Sequence, residues 1–466
     1  MYILNWFDFV IFGVAGALGL GATFFFWVLF GITKSITKER MIGALLVGIG
    51  VIPAMTAILS PRELGFGQGI QYIVSATSQS AGIASWVNRL VSLALVSLTL
   101  AMTLRGLIEN SKFRRGGEAL WFSYIAMFLL GICVSSFAGT KPSFFHTMFY
   151  APLVMTAVYM NSSVSPEWLA YWAKKILLIY LYGTLIAAAI VPDWAIEGAY
   201  QSVIPGLNSR LVGLAGHSNG LGALALLFLL LELYFPSRNL WRLLNLTAAL
   251  AVLVAAQSKT VWIAAIVCIA IAVSCQMFHQ PASRLAYKEP FRKHLLAISG
   301  FAALMGSLSA LLILMYDQSI NFGEFSESGV GTFTGRARIW EITLDAWRAN
   351  PIFGYGPRLW DFEFRTQYDA LAVGNAHNQF IETLGNSGIL GFAGMIVYFF
   401  TLILTASRHL RVTRGLSLAL VAVLLVRSFA ETPLSSLSIV DTTFFMHLLV
   451  FAYLQTLDKQ FNAVTR

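Results

Sequence analysis

Apolar runs of spanning or near-spanning length, separated by short polar connections, recur along the whole chain. They lie at about 9–32, 42–60, 90–107, 119–138, 145–160, 176–191, 211–235, 243–256, 261–278, 295–315, 388–406, 415–430 and 441–457. A helix of ~20 apolar residues crosses the hydrocarbon core of a bilayer and satisfies its own backbone there. The pattern therefore predicts an all-α polytopic membrane protein with about 12–13 transmembrane helices, twelve if one of the shorter runs does not cross. The first run carries Gly13, Gly16, Gly19 and Gly21 and also reads as a broken or re-entrant helix, which bears on where the N-terminus lies.

The polar connections are of two kinds. One set is rich in lysine and arginine: Lys34, Lys38 and Arg40; Arg105, Lys112, Arg114 and Arg115; Lys174 and Lys175; Arg238 and Arg242; Arg284, Lys288, Arg292 and Lys293; Arg408, Arg411 and Arg414; Lys459 and Arg466. These alternate with poorer connections, as the cytoplasmic excess of basic residues requires, and mark the inner face. The opposite face keeps Arg62, Arg89, Lys141, Arg210, Lys259, Arg336, Arg338, Arg348, Arg358, Arg365 and Arg427, cations that run against the topological bias.

Composition agrees with this picture and removes competitors. The 466 residues are 57% hydrophobic and 11% charged, where a soluble globular chain has about a quarter charged. The net charge of +9 is mostly an orientation signal, which excludes nucleic acid as a partner and leaves membrane lipids. Cys133, Cys268 and Cys275 each sit in an apolar run with no second Cys or His at ligand spacing, so neither a disulfide framework nor a zinc site is expected. No basic n-region precedes the first run, so a cleaved signal peptide is not expected either.

Two outer connections are long. The first, about 61–89, is rich in Gly, Ser and Gln. The second, about 316–387, is the only segment large enough to fold over the membrane surface, and loops of that length are usually functional. Within it a helical pattern runs from Arg336 through Arg348 and stops at Asn350-Pro351, with Ile339, Trp340, Leu344 and Trp347 near one face, as in a helix lying along the membrane interface. The chain thus divides into N-terminal transmembrane helices (1–209), central helices with candidate ligand motifs (210–315), the large outer loop (316–387) and C-terminal helices (388–466).

Four stretches hold candidate chemistry. Arg210 leads into a glycine-rich segment with His217, Ser218 and Asn219; glycines admit close backbone approach and an arginine grips phosphate bidentately, although helix packing with a snorkelling arginine gives the same pattern. Gln257-Ser258-Lys259-Thr260 forms a tight outer hairpin whose lysine meets an anion or merely solvates the turn. Gly335-Arg336-Ala-Arg338 opens the interfacial helix, where free N–H groups add to anion attraction, a solvated helix face being the plainer alternative. His377, between Ala376 and Asn378 and followed by Glu382, has the side chain suited to proton transfer near neutrality, with Asn378 and Glu382 close enough in sequence to orient it or bind hydroxyls. Several cations and a histidine on one face suit transfer from a diphosphate leaving group to a hydroxyl acceptor. With no Asp-x-Asp or His/Glu cluster in the outer loops, arginine rather than a metal ion would neutralise the charge.

From Arg210 to about Leu434 the sequence resembles the O-antigen ligase and polysaccharide polymerase family of bacterial inner-membrane proteins. The residues that carry the resemblance are Arg210 with the His217-Ser-Asn219 segment, Ser258-Lys259-Thr260, Gly335-Arg336 through Trp340, Pro351-Ile-Phe-Gly354-Tyr-Gly356, and His377-Asn378 followed by Gly388-Ile-Leu-Gly391. The resemblance implies a GT-C-like, metal-independent, inverting glycosyltransferase of the inner membrane with no cofactor and its site facing the periplasm. It would move a glycan from undecaprenyl diphosphate to a hydroxyl of lipid A-core, or of a second lipid-linked glycan in a polymerase. It assigns the diphosphate to Arg210 and Arg336, less firmly to Lys259 and Arg338, and the acceptor side to His377. Asn378, Glu382, His217, Asn219 and Glu431 are expected to line the acceptor site or the cavity. A transporter or flippase is the alternative of another class; it predicts ionisable residues at mid-span and a repeated half, whereas Glu232 and Asp441 lie near run ends and the long loop occurs once.

Overall fold

The computed structural model describes residues 31, 35–60, 62, 64, 82–109, 116–162, 164–198, 208–277, 333–371, 373–434 and 438–464. Its architecture is a helical bundle: α1 (Lys38–Leu59), α2 (Ile83–Glu109), α3 (Glu118–Ala138), α4 (Tyr150–Asn161), α5 (Pro166–Ile190), α6 (Ser218–Tyr234), α7 (Asn239–Ala255), α8 (Lys259–Met277), α9 (Phe333–Ala349), α10 (Phe362–Gln367), α11 (Gln379–Arg408), α12 (Leu416–Ser428) and α13 (Thr442–Val464). Two two-residue strands, β1 (Ile196–Glu197) and β2 (Arg210–Leu211), pair antiparallel between α5 and α6. Every expected span is helical except the first and the tenth, which lie outside the described residues, as does most of the first long connection.

Five of these helices, α1, α2, α3, α5 and α11, are long and apolar enough to cross a membrane, and α6, α7, α8 and α12 are shorter apolar helices. Large side chains such as Leu90, Leu93, Phe137, Ile186, Ile190, Ile266 and Ile269 point outward, as lipid-facing positions do. The core between the helices is continuous, with Leu45, Tyr180, Phe228, Tyr398, Phe445 and Phe451 fully enclosed. The chain is a multi-pass, all-α membrane protein.

Polar contacts gather the helix ends at two levels. At one end Lys38 pairs with Glu109 (3.1 Å), Lys174 with Glu232 (2.6 Å), His409 with Asp458 (2.6 Å), and Tyr234 Oη donates to the Arg414 carbonyl (2.9 Å). These are the lysine- and arginine-rich connections. Lys174 sits within α5, which begins at Pro166 rather than at the expected residue 176, and its side chain reaches back to Glu232, Ser237 and the Phe235 carbonyl. The helix containing Arg89 likewise starts earlier than expected, at Ile83.

At the other end lies segment 333–379, from the long connection expected to lie outside. Its buried face overlaps the one the sequence predicts only in part: Ile339 is buried and Trp340 packs beside it, but Ile342 and Ala346 join them in place of Leu344 and Trp347, with Leu359, Trp360, Phe364, Val373 and Ala376, in a small second core. The reason is that α9 packs on the outer part of α11 and on the 359–376 chain, so its buried stripe turns toward them. Here α11 is interrupted. Gly388 has non-helical backbone (φ 60, ψ −162), and the 350–356 loop enters the break with backbone bonds from Tyr355 to Gly385, Gly356 to Asn386 and Ile389 to Pro351. A side chain is not tolerated there: a Cβ on Gly354 would lie 2.4 Å from the Ser387 nitrogen, and one on Gly388 2.4 Å from the Ile352 carbonyl. Lys141 ties the α3–α4 connection to the same segment through Asp361 (2.9 Å) and Glu363.

Candidate active site

The site is built around the start of α11. Asn378 is the N-cap, its Oδ1 accepting from Phe380 and Ile381 N–H at 3.0 and 3.2 Å, which satisfies two of the free donors of the first turn. The turn before it is fixed from both sides. Glu382 accepts from the Ala376 N–H (2.6 Å), the Trp360 indole (3.2 Å) and the Asn386 amide (2.8 Å), while the Trp340 indole donates to the Ala376 carbonyl (2.8 Å). His377 is thereby held at φ +47, a left-handed conformation that a non-glycine residue adopts only where its surroundings impose it. Its N–H donates to Asn375 Oδ1 at 2.8 Å.

The imidazole meets an acid from the end of α12. Nδ1 of His377 lies 3.4 Å from Oε2 of Glu431, and the His377 side chain keeps 29% exposure against 13% for the carboxylate. Among the described residues Nε2 has no hydrogen-bond partner. Glu431 gathers other groups as well. Its Oε1 accepts from the Asn219 amide at 2.5 Å, and the Arg336 guanidinium stands 3.9 Å away while donating to the Ala430 carbonyl at 3.2 Å. Asn378 reaches the same strip of chain through the Phe429 carbonyl (3.2 Å), and Gln379 through the Leu434 N–H (2.9 Å). Burial acts to raise the Glu431 carboxyl, but the hydrogen bond with His377 and the charges of His217, His377 and Arg427 outweigh it and hold the group down at about 2. It is therefore a carboxylate at any physiological pH.

Arg210 stands on the short hairpin. The register pairs it with Glu197, and its guanidinium forks onto that carboxylate at 2.6 and 3.0 Å. Beside it, Arg62 lies 3.8 Å over the Trp194 ring and donates to the Gly213 carbonyl. His217 caps α6, its Nδ1 accepting the Asn219 N–H at 3.1 Å. Lys259 opens α8 and Arg338 lies in the second turn of α9; both are exposed, and among the described residues no contact draws them to the Glu431 cluster.

The structure thus brings together His377, Asn378, Asn219, Arg336 and Glu431, with His217 close enough to feel the charges of Glu431, Arg210, Glu197 and His377. Glu382 is spent on fixing the turn. Glu197 was not singled out by the sequence; an acid in a two-residue strand leaves no periodic signal, and only its pairing with Arg210 reveals it. Glu431 joins Asn219, His377 and Arg336, contacts that its position after a span did not indicate.

Chemically the cluster offers an imidazole with one face on a carboxylate and the other free, beside two arginines that rest on carboxylates and so can exchange them for another anion. No curated protein matches the chain significantly. Residues 244–396, which include Lys259, Arg336, Arg338, His377, Asn378 and Glu382 but neither Arg210 nor Glu431, match the family model described as O-Antigen ligase. That segment, about a third of the chain, is what the protein shares with the O-antigen ligase family.

Proposed function

We propose that the protein is a periplasm-facing, metal-independent, inverting glycosyltransferase of the bacterial inner membrane, which moves a glycan from undecaprenyl diphosphate to a hydroxyl of lipid A-core. The observation that carries this reading is the His377–Glu431 pair, set among cations at the end of the bundle opposite the basic connections. Glu431 keeps the imidazole proton on Nδ1, which leaves Nε2 as a base. In the reaction Nε2 takes the proton of the acceptor hydroxyl as its oxygen attacks the anomeric carbon. The bond from that carbon to the phosphate oxygen breaks, and undecaprenyl diphosphate leaves with the electron pair. Arg210 and Arg336 neutralise the charge that grows on the leaving group, in a site of low dielectric where such contacts count most.

The test is transfer by the purified protein in liposomes, supplied with lipid-linked glycan and lipid A-core. Joined product that disappears in His377→Ala supports the reading. Extension of the lipid-linked glycan, with lipid A-core untouched, replaces the ligase by a polymerase. Glycan that crosses the bilayer without forming a new linkage overturns glycosyl transfer altogether.

A further inference from the structure

Two imidazoles approach Glu431 from different helices, and their hydrogen bonds assign them opposite tautomers. Nδ1 of His217 accepts the Asn219 N–H at 3.1 Å, so that nitrogen carries no proton and the neutral ring holds its proton on Nε2. His377 is the reverse, since its Nδ1 faces a carboxylate, which only accepts; the proton sits on Nδ1 and Nε2 presents a lone pair. One free ring nitrogen is a donor and the other an acceptor.

His217 stands beside the Glu431 cluster, since Asn219, two residues on, donates to Glu431 Oε1 at 2.5 Å. The residue is exposed and lies within electrostatic reach of Arg210, Glu197, Glu431 and His377. Desolvation, opposed in part by the Glu431 charge and aided by Arg210, lowers its affinity for a second proton. Capping alone does not account for the residue type, because Ser, Thr, Asp and Asn are the strong N-caps and each would close the first turn of α6 without a ring.

Building on the glycosyl-transfer reading above, we propose that Nε2–H of His217 donates a hydrogen bond to the phosphate oxygen of the departing diphosphate, beside Arg210. The two histidines then serve opposite ends of one displacement: His377 receives the acceptor proton, and His217 supports the oxygen on which negative charge accumulates. His217 gives up no proton in the step.

The informative variant is His217→Ser, which keeps a cap acceptor and removes the ring donor. It is expected to melt like the wild type, to lose about tenfold to a hundredfold in kcat, as removal of a donor to a developing charge does, and to bind undecaprenyl diphosphate in nanodiscs several-fold more weakly. His377→Ala should leave that binding unchanged. A folded His217→Ser with wild-type turnover and wild-type affinity for undecaprenyl diphosphate overturns the proposal while leaving glycosyl transfer standing. Wild-type protein that forms no linkage overturns the transfer reading itself. Independently of activity, nitrogen NMR of histidine-labelled protein should show His217 as the Nε2–H tautomer; an Nδ1–H tautomer there refutes the assignment.

Discussion

Glu431 places its carboxylate 3.4 Å from Nδ1 of His377, although 54 residues and the whole of α11 and α12 separate them in the chain. A carboxylate behind an imidazole sets its tautomer and orientation, and loss of such a partner typically costs 10- to 100-fold. Glu431→Gln is therefore expected to lower the turnover of lipid-linked glycan by about a hundredfold with little change in expression, since the amide keeps the shape. Unaltered turnover in the reconstituted assay would detach Glu431 from the chemistry.

The same carboxyl makes stability depend on acid. Its folded value, about 2, lies below its ordinary value of 4.5, so it stabilises the fold fully above 4.5 and progressively less as pH falls toward 2. Melting of the solubilised protein should show an added loss within that window that is absent in Glu431→Gln. A parallel decline in both proteins would assign the acid sensitivity to other groups.

At Arg210 the geometry of the side chain should matter beyond its charge. Its fork already fits a carboxylate at two points, and lysine has no fork. Arg210→Lys is expected to raise the KM for lipid-linked glycan by about tenfold, and Arg210→Ala by more. Equal KM values for wild type and both variants would leave Arg210 a hairpin anchor to Glu197.

Gly354 offers a structural test remote from any charge. With φ +75 and no room for a Cβ against the chain at 386–388, Gly354→Ala has to open the contact between the 350–356 loop and the break in α11. The expected cost is at least about 2 kcal/mol, from the left-handed backbone and the clash together. Differential melting reads it directly, and transfer activity should fall in parallel as the turn at His377 loosens.

Single cysteines at Phe362 and Val412, introduced after Cys133, Cys268 and Cys275 are replaced by serine, test the two levels of the bundle. Both positions are exposed, one in the outer segment and one in a basic connection. An impermeant thiol reagent should label Phe362→Cys in intact spheroplasts and Val412→Cys only after lysis. Labelling of both from one side would refute the arrangement.

The helices were readable because each writes its own signal, an apolar run between polar connections, and several of the lysine- and arginine-rich connections gather at one end of the bundle. Run ends were less reliable wherever polar residues continue a helix, as at Lys174 within α5. The site was half readable. His377 and Asn378 are adjacent and open a helix, so sequence alone sets them together. What completes them arrives from afar: Glu431 from α12, Asn219 from α6, Arg336 from α9. For Glu382 proximity in sequence left two roles open, orienting His377 or binding hydroxyls, and its bonds to Ala376, Trp360 and Asn386 put it on the turn that holds the histidine.

The interruption of α11 at Gly388 also bears on how the protein meets different bilayers. Below it the helix faces lipid through Ile389, Ile396, Val397 and Phe400; above it the chain is bonded to the 350–356 loop and to Glu382. A bilayer thinner or thicker than the helix imposes tilt, and a helix continuous through the site would pass that tilt to His377. With the hydrogen-bond ladder broken at residue 388, the lower part can adjust to hydrophobic mismatch while the turn that carries the histidine keeps its registry with Glu431.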